Sequence, residues 1–211
     1  MTRDEMTREM TTAISRTFRL AAAVLVLGLA TGLHAQTPAN SGPAAMATTQ
    51  MDPAKALDKM LSGLEGEFVG VAEAMPADKY NFAPTADYFK PGATTNFTDV
   101  RTFAQQVAHV AQANYFYFSG FSATPPPANL DAIAKLTSKD DLIKALKDSF
   151  AYGHAAIATI TPQNAFQIVN PKRQSTPAIL AAGAVAHAFD HYGQLVEYLR
   201  MNGIVPPASA K

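Results

Sequence analysis

The stretch Thr176-Pro-Ala-Ile-Leu180-Ala-Ala-Gly-Ala184-Val-Ala-His187-Ala-Phe-Asp190-His191-Tyr-Gly-Gln194-Leu-Val-Glu-Tyr198-Leu-Arg-Met201-Asn-Gly203 decides how this chain folds. Ser175 or Thr176 caps the helix, Pro177 suits the first helical position, and Asn202-Gly203 is a stop. Between them Leu180, Ala184, His187, His191, Gln194, Tyr198 and Met201 recur at steps of four and three, one stripe of an amphipathic helix over 176–201. Two histidines stand on that stripe one turn apart. Four residues turn a helix by about 400° and advance it by about 6 Å, so both rings leave the same face. That geometry lets two imidazoles reach one ion. It equally suits two histidines hydrogen-bonded within a core.

Three further stripes precede this one. Asp52-Pro53 starts a helix over 52–75 carrying Leu57, Leu61, Leu64, Phe68, Val71 and Met75, stopped by Pro76. Thr98 is the expected cap of a second, over 99–121, with Phe103, Val107, Val110, Asn114, Tyr117 and Phe121. Pro125-Pro126-Pro127 lies beyond its end. Ser138 with Asp141 resembles a capping box, and Ile143, Leu146, Phe150, Gly153, Ile157 and Ile160 mark a third helix ending before Pro162. Residues 76–97, with three prolines and scattered aromatics (Tyr80, Phe82, Tyr88, Phe89), read as a long ordered loop that could cover a site. Four helices with one apolar stripe each and no sustained strand alternation predict an all-α fold, an antiparallel four-helix bundle.

Ahead of the bundle, Arg16 and Arg19 precede an uncharged run from Leu20 to Leu33, shorter than the ~20 residues that span a bilayer. Residues 1–35 read as a secretory signal, and 36–51, rich in Ala, Thr, Pro and Ser, as a flexible linker before a domain over 52–207. Export to the periplasm or medium is the expectation, with no membrane span left after cleavage. An uncleaved N-terminal anchor is the alternative. Composition agrees with an exported domain: there is no cysteine, which excludes disulfides, thiolate metal sites and a cysteine nucleophile. Seventeen basic residues balance seventeen acidic ones, without the basic footprint of a nucleic-acid binder.

A metal needs more than His187 and His191. His109, at the edge of the second stripe, and His154, at the margin of the third, are both candidates for a third ligand, and spacing does not choose between them. Asp190 stands three residues after His187, placed to orient an imidazole or to lie in solvent. Gln194 stands a turn beyond His191, placed to touch a ligand or to bond within the bundle. Tyr115-Phe-Tyr-Phe118 with Phe121 surrounds its helix with aromatics, more than one core face can take, which suggests core packing plus contact with a second copy, with a substrate wall as the alternative.

The run His187-Ala-Phe-Asp-His191-Tyr-Gly-Gln194, with Met75-Pro-Ala-Asp-Lys-Tyr-Asn-Phe-Ala-Pro84 and Arg101-Thr-Phe-Ala-Gln-Gln-Val-Ala-His109, resembles the DinB-like (DinB/YfiT) superfamily of four-helix metal-binding bundles over roughly 52–207. The resemblance implies three histidine ligands, His109, His187 and His191, and no ligand role for His154. Where many relatives carry Glu before the last histidine, this chain has Asp190. It also implies a divalent cofactor, Zn²⁺ or Ni²⁺ on imidazole donors, and a homodimer as the common assembly. Some similar proteins are thiol transferases or isomerases working with cytosolic thiols. Export argues against that chemistry here, so the expected activity is metal-dependent hydrolysis of a small substrate. A non-enzymatic metal- or ligand-binding module and a purely structural bundle are the competing readings.

Overall fold

The computed structural model describes residues 50–92, 94, 96–126 and 129–210. The expected signal over 1–35 and nearly all of the linker over 36–51 lie outside the described residues.

Among the described residues there are four long helices: α1 (Pro53–Ala74), α2 (Phe103–Ser119), α4 (Lys139–Ile157) and α5 (Pro177–Met201). A one-turn helix, α3 (Leu130–Ile133), lies between α2 and α4, and 3₁₀ turns cover Ala77–Lys79, Ala86–Tyr88 and Pro207–Ser209. There is no strand among the described residues; the nearest thing is an isolated bridge between Asn170 and Ser175. None of the described helices is long and apolar enough to cross a membrane.

Each long helix starts where a side chain takes up an orphan backbone donor. Asp52, Ser138 and Thr176 accept from the amides of Lys55, Asp141 and Ile179. The second helix departs from expectation: its cap is Thr102 rather than Thr98. Thr102 Oγ1 accepts from the Gln105 amide while Gln105 Oε1 accepts from the Thr102 amide, a reciprocal capping box. Two more amides of that turn are met by the preceding loop, Phe103 N donating to Phe82 O and Ala104 N to Tyr80 O, each at 2.8 Å. The loop is itself anchored. Tyr80, buried, donates its hydroxyl to Ala72 O at 2.6 Å, and the Phe82 ring meets Tyr198 edge-on at 5.5 Å. Residues 76–97 thus fix where α2 begins, and so the register of the side chains it presents.

α1 packs against α4 and α5, and α2 packs against the same two. The consecutive helices α1 and α2 therefore face each other across the core, which is why so long a connection joins them. Leu61, Leu64, Phe68 and Val71 of α1, Phe103, Val107 and Phe118 of α2, and Leu146 and Phe150 of α4 are fully buried. α2 and α4 approach closely at Gly153, where a Cβ would stand 2.5 Å from the Phe118 ring, and Asn114 bonds Ser149 Oγ across the same contact. On α5 the buried face is centred on Ala181, Ala184, Val185, Ala188, Leu195 and Leu199. This is turned slightly from the expected stripe: His191 and Tyr198 are buried, His187 and Gln194 are half-buried, and Met201 is exposed. The histidines consequently sit at the rim of the core, with solvent on one side.

Candidate metal centre

His109 rises from the middle of α2, and His187 and His191 from successive turns of α5, one of the two helices that α2 packs against. Their ring centroids lie 5.1 Å (109–187), 4.8 Å (109–191) and 4.6 Å (187–191) apart. One nitrogen from each can be chosen so that all lie within 4.8 Å of one another. The closest pair, His109 Nε2 and His187 Nε2, is separated by 3.2 Å. Two imidazole nitrogens on a tetrahedral zinc, each at about 2.0–2.1 Å, stand about 3.3 Å apart, so this pair already has the chord a shared ion requires.

The third ring is held by a chain of amides. His191 Nδ1 lies 2.5 Å from Gln106 Oε1, which accepts only, so Nδ1 carries the proton and Nε2 offers its lone pair to the cluster. Gln106 then donates from Nε2 to Gln194 Oε1 at 2.6 Å, and Gln194 donates from Nε2 to Asp190 Oδ2 at 3.0 Å. All the bonds run one way, from the imidazole to a carboxylate. Asp190 is exposed and bonds to Gln194, and Gln194 bonds to the neighbouring amide and to Asp190. Gln106, which sequence reasoning missed, is buried between them. Its signal was a polar residue three positions after Phe103 and next to Val107, inside an otherwise apolar face.

Electrostatics keep the three rings neutral. Burial pushes the His191 pKa down to about 4, helped by the neighbouring His187 and His109; the Asp190 charge opposes this and Arg101 adds to it. Burial likewise lowers His109, with Arg101 and His187 contributing. It lowers His187 too, against Asp190 and with Arg101. Neutral imidazoles ligate without first losing a proton. Distances, tautomer and protonation state thus fit a divalent ion, which this three-histidine group could bind. No fourth histidine, aspartate or glutamate belongs to the group among the described residues.

His154 is elsewhere. On α4 it faces α1, with Nδ1 2.5 Å from Asp58 Oδ1 and Nε2 3.0 Å from Glu65 Oε2. The two acids stand two helical turns apart on α1 and grip one ring from both sides. Burial alone would lower its pKa; hydrogen bonds and charge from both carboxylates outweigh that and raise it. The folded state therefore holds this proton more tightly than the unfolded chain does. The stabilisation is complete below the unfolded value of about 6.5 and is lost as pH rises through the raised folded value. Thermal melts of the wild type and His154→Gln should differ by about 1 kcal/mol below pH 6 and converge in alkali. A difference that grows with pH would contradict the clamp.

The aromatic run divides by burial. Tyr115 and Phe118 are buried, Tyr117 lies 5.8 Å from the His187 ring, and Phe116 is exposed with the Arg173 guanidinium 5.5 Å over its face.

A comparison with curated proteins finds no match. A comparison with protein families matches residues 60–195, from within α1 to just beyond Gln194, to the DinB superfamily. That span holds all three clustered histidines together with Gln106, Asp190 and Gln194, and the helical fold agrees with it: this chain belongs to the DinB superfamily.

Proposed function

We propose that the protein is an exported, metal-dependent enzyme that hydrolyses a small substrate at a centre formed by His109, His187 and His191. One observation carries the reading: three neutral imidazoles converge at the rim of the core with no fourth protein donor in the group among the described residues. Structural sites close their coordination with four protein ligands, whereas sites built for chemistry leave a position open. A divalent ion there, zinc or nickel given the imidazole donors, supplies Lewis acidity toward an oxygen of substrate or water. The chain's own residues do the rest. Gln106 fixes the His191 tautomer, Asp190 terminates the amide chain, and the apolar core behind the rings keeps water to one side.

Export is supported by the basic-then-apolar pattern of residues 16–35 and by the absence of cysteine. A homodimer would cover Phe116. One observation favours a non-catalytic metal-binding module instead: Asp190, adjacent to His191 in the chain, bonds Gln194, and among the described residues no acid joins the three-histidine group.

The test is a panel of ester and amide substrates given to protein recovered from the exported fraction and loaded with Zn²⁺ or Ni²⁺. Turnover lost on stripping the ion, from a chain whose N-terminus begins near Gln36, is expected. Protein that binds the ion and turns over nothing would leave the module reading. Protein that takes up neither ion would end both.

A further inference from the structure

Beside His109 a pocket of about 460 Å³ opens to solvent, walled by Asp99, Arg101, Gln105, His109 and Gln112. Most of its polar groups are already engaged. Gln105 Oε1 caps the Thr102 amide, and Gln112 Nε2 donates to Leu130 O at 2.9 Å. The Arg101 guanidinium makes no ion pair among the described residues. Its backbone is fixed, however: Tyr198, two turns beyond His191 on α5, donates its hydroxyl to Arg101 O at 3.0 Å, and the loop bonds at Phe103 and Ala104 hold the next turn. Arg101 is thus a cation on a pinned backbone, sharing a cavity with a member of the histidine cluster.

Arg101 is exposed, so solvent meets its charge while the cluster is neutral; a divalent ion on the rings changes that balance. Three neutral imidazoles leave the charge of a divalent ion uncompensated, and Arg101 adds another positive charge beside it. Asp190, which precedes His191 on α5, is one carboxylate against that total. Asp99, at the pocket wall, is the other. Its backbone is left-handed (φ 63°), a conformation aspartate tolerates better than most residues, and its carboxylate forms no ion pair with Arg101. A ligand bearing one negative charge completes the balance, while a dianion would meet Asp99. Guanidinium presents a planar fork that matches a carboxylate at two points.

We propose that the Arg101 pocket is the subsite for the carboxylate of a monoanionic small substrate, whose reacting carbonyl then lies toward His109, His187 and His191. This rests on the metal-centre reading and adds to it the class of molecule served. Arg101 would bind the substrate carboxylate and take no part in the reaction itself.

NMR titrations with N-acetylglycine, its uncharged counterpart N-acetylglycinamide and inorganic phosphate test it, on zinc-loaded and on metal-free protein. N-acetylglycine should bind the loaded protein at least about tenfold more tightly than the amide. Arg101→Gln should erase that preference with zinc content unchanged, and Arg101→Lys should retain part of it. In metal-free protein the affinity should be weaker but still depend on Arg101. Equal binding of acid and amide, a preference that survives Arg101→Gln, or tighter binding of phosphate would each overturn the proposal. Protein that takes up no zinc yet keeps the Arg101-dependent preference would overturn the metal-centre reading and leave the anion subsite standing.

Discussion

His191→Ala is expected to lower the affinity for Zn²⁺ by more than about 100-fold, beyond the roughly 10–100-fold typical of losing a supporting hydrogen bond. His191 is the most buried of the three rings and the one with its nitrogen roles fixed. Without it, His109 and His187 are two donors at the rim, too few for a stable site. The same variant should alter the pH dependence of the metal-free protein. With the folded pKa near 4 and the unfolded value about 6.5, the unfolded chain binds the proton first on acidification. Stability from this group is therefore present above pH 6.5 and lost as pH falls toward 4, by an amount on the order of 3 kcal/mol. Urea titrations at pH 7, 5.5 and 4.5 should show this slope in the wild type and a shallower one in His191→Ala, although the variant starts lower because Gln106 Oε1 loses its partner. An unchanged slope would mean that His191 is not held neutral by burial.

Gln106→Leu should have the second largest effect. Leucine fills similar volume and removes both bonds of the amide: the acceptor for His191 Nδ1 and the donor to Gln194. His191 is then free to change tautomer or rotate, and metal affinity should drop about 10–100-fold with all three ligands still present. Isothermal titration with Zn²⁺ reads the affinity, and ¹⁵N chemical shifts of the His191 ring in metal-free protein read the tautomer. Nδ1 protonated in the wild type and mixed tautomers in Gln106→Leu are expected. Gln106→Glu retains an acceptor and should restore most of the tautomer preference. Wild-type affinity in Gln106→Leu would show that the amide chain is only structural.

How much of this was legible in the chain depends on whether the deciding interaction is local. α5 could be bounded from sequence to within a residue because Pro177 and Asn202-Gly203 act within a turn of their own position; the choice of Thr176 over Ser175 as cap came from the fold. The start of α2 could not, since Thr98 and Thr102 offer the same hydroxyl. The choice was made by Gln105 bonding back and by carbonyls of Tyr80 and Phe82 arriving from a distant loop. Stripe periodicity identified the faces that bury, but not which helix each would meet, so the placement of α1 across the core from α2 was invisible. It also misjudged the centre of the α5 face. Alanines at 181, 184 and 188 allow a close approach that a scale ranking them as weakly hydrophobic does not register.

For the site, the spacing of His187 and His191 was enough to put both rings on one face. Deciding between His109 and His154 was not a matter of spacing. His154 has Asp58 and Glu65 for partners, and these stand some ninety residues earlier on a helix whose packing against α4 only the fold reveals. Gln106 was overlooked for a related reason: an amide bonded to a ring 85 residues away has no local signature. Arg101 differs, since its pocket is lined almost wholly by residues 99–112; what the chain did not show is that the start of α2 falls just after it.

The account stands or falls on whether His109, His187 and His191 share one ion. X-ray absorption at the zinc edge of protein reconstituted at one equivalent, compared with His109→Ala, His187→Ala and His191→Ala, measures this directly. Expected is one zinc per chain with three imidazoles at about 2.0–2.1 Å and a lighter oxygen donor completing the shell, and loss of an imidazole or of the ion in each variant. Zinc that fails to bind at one equivalent, or that binds with the same oxygen-dominated shell in the wild type and all three variants, would contradict it.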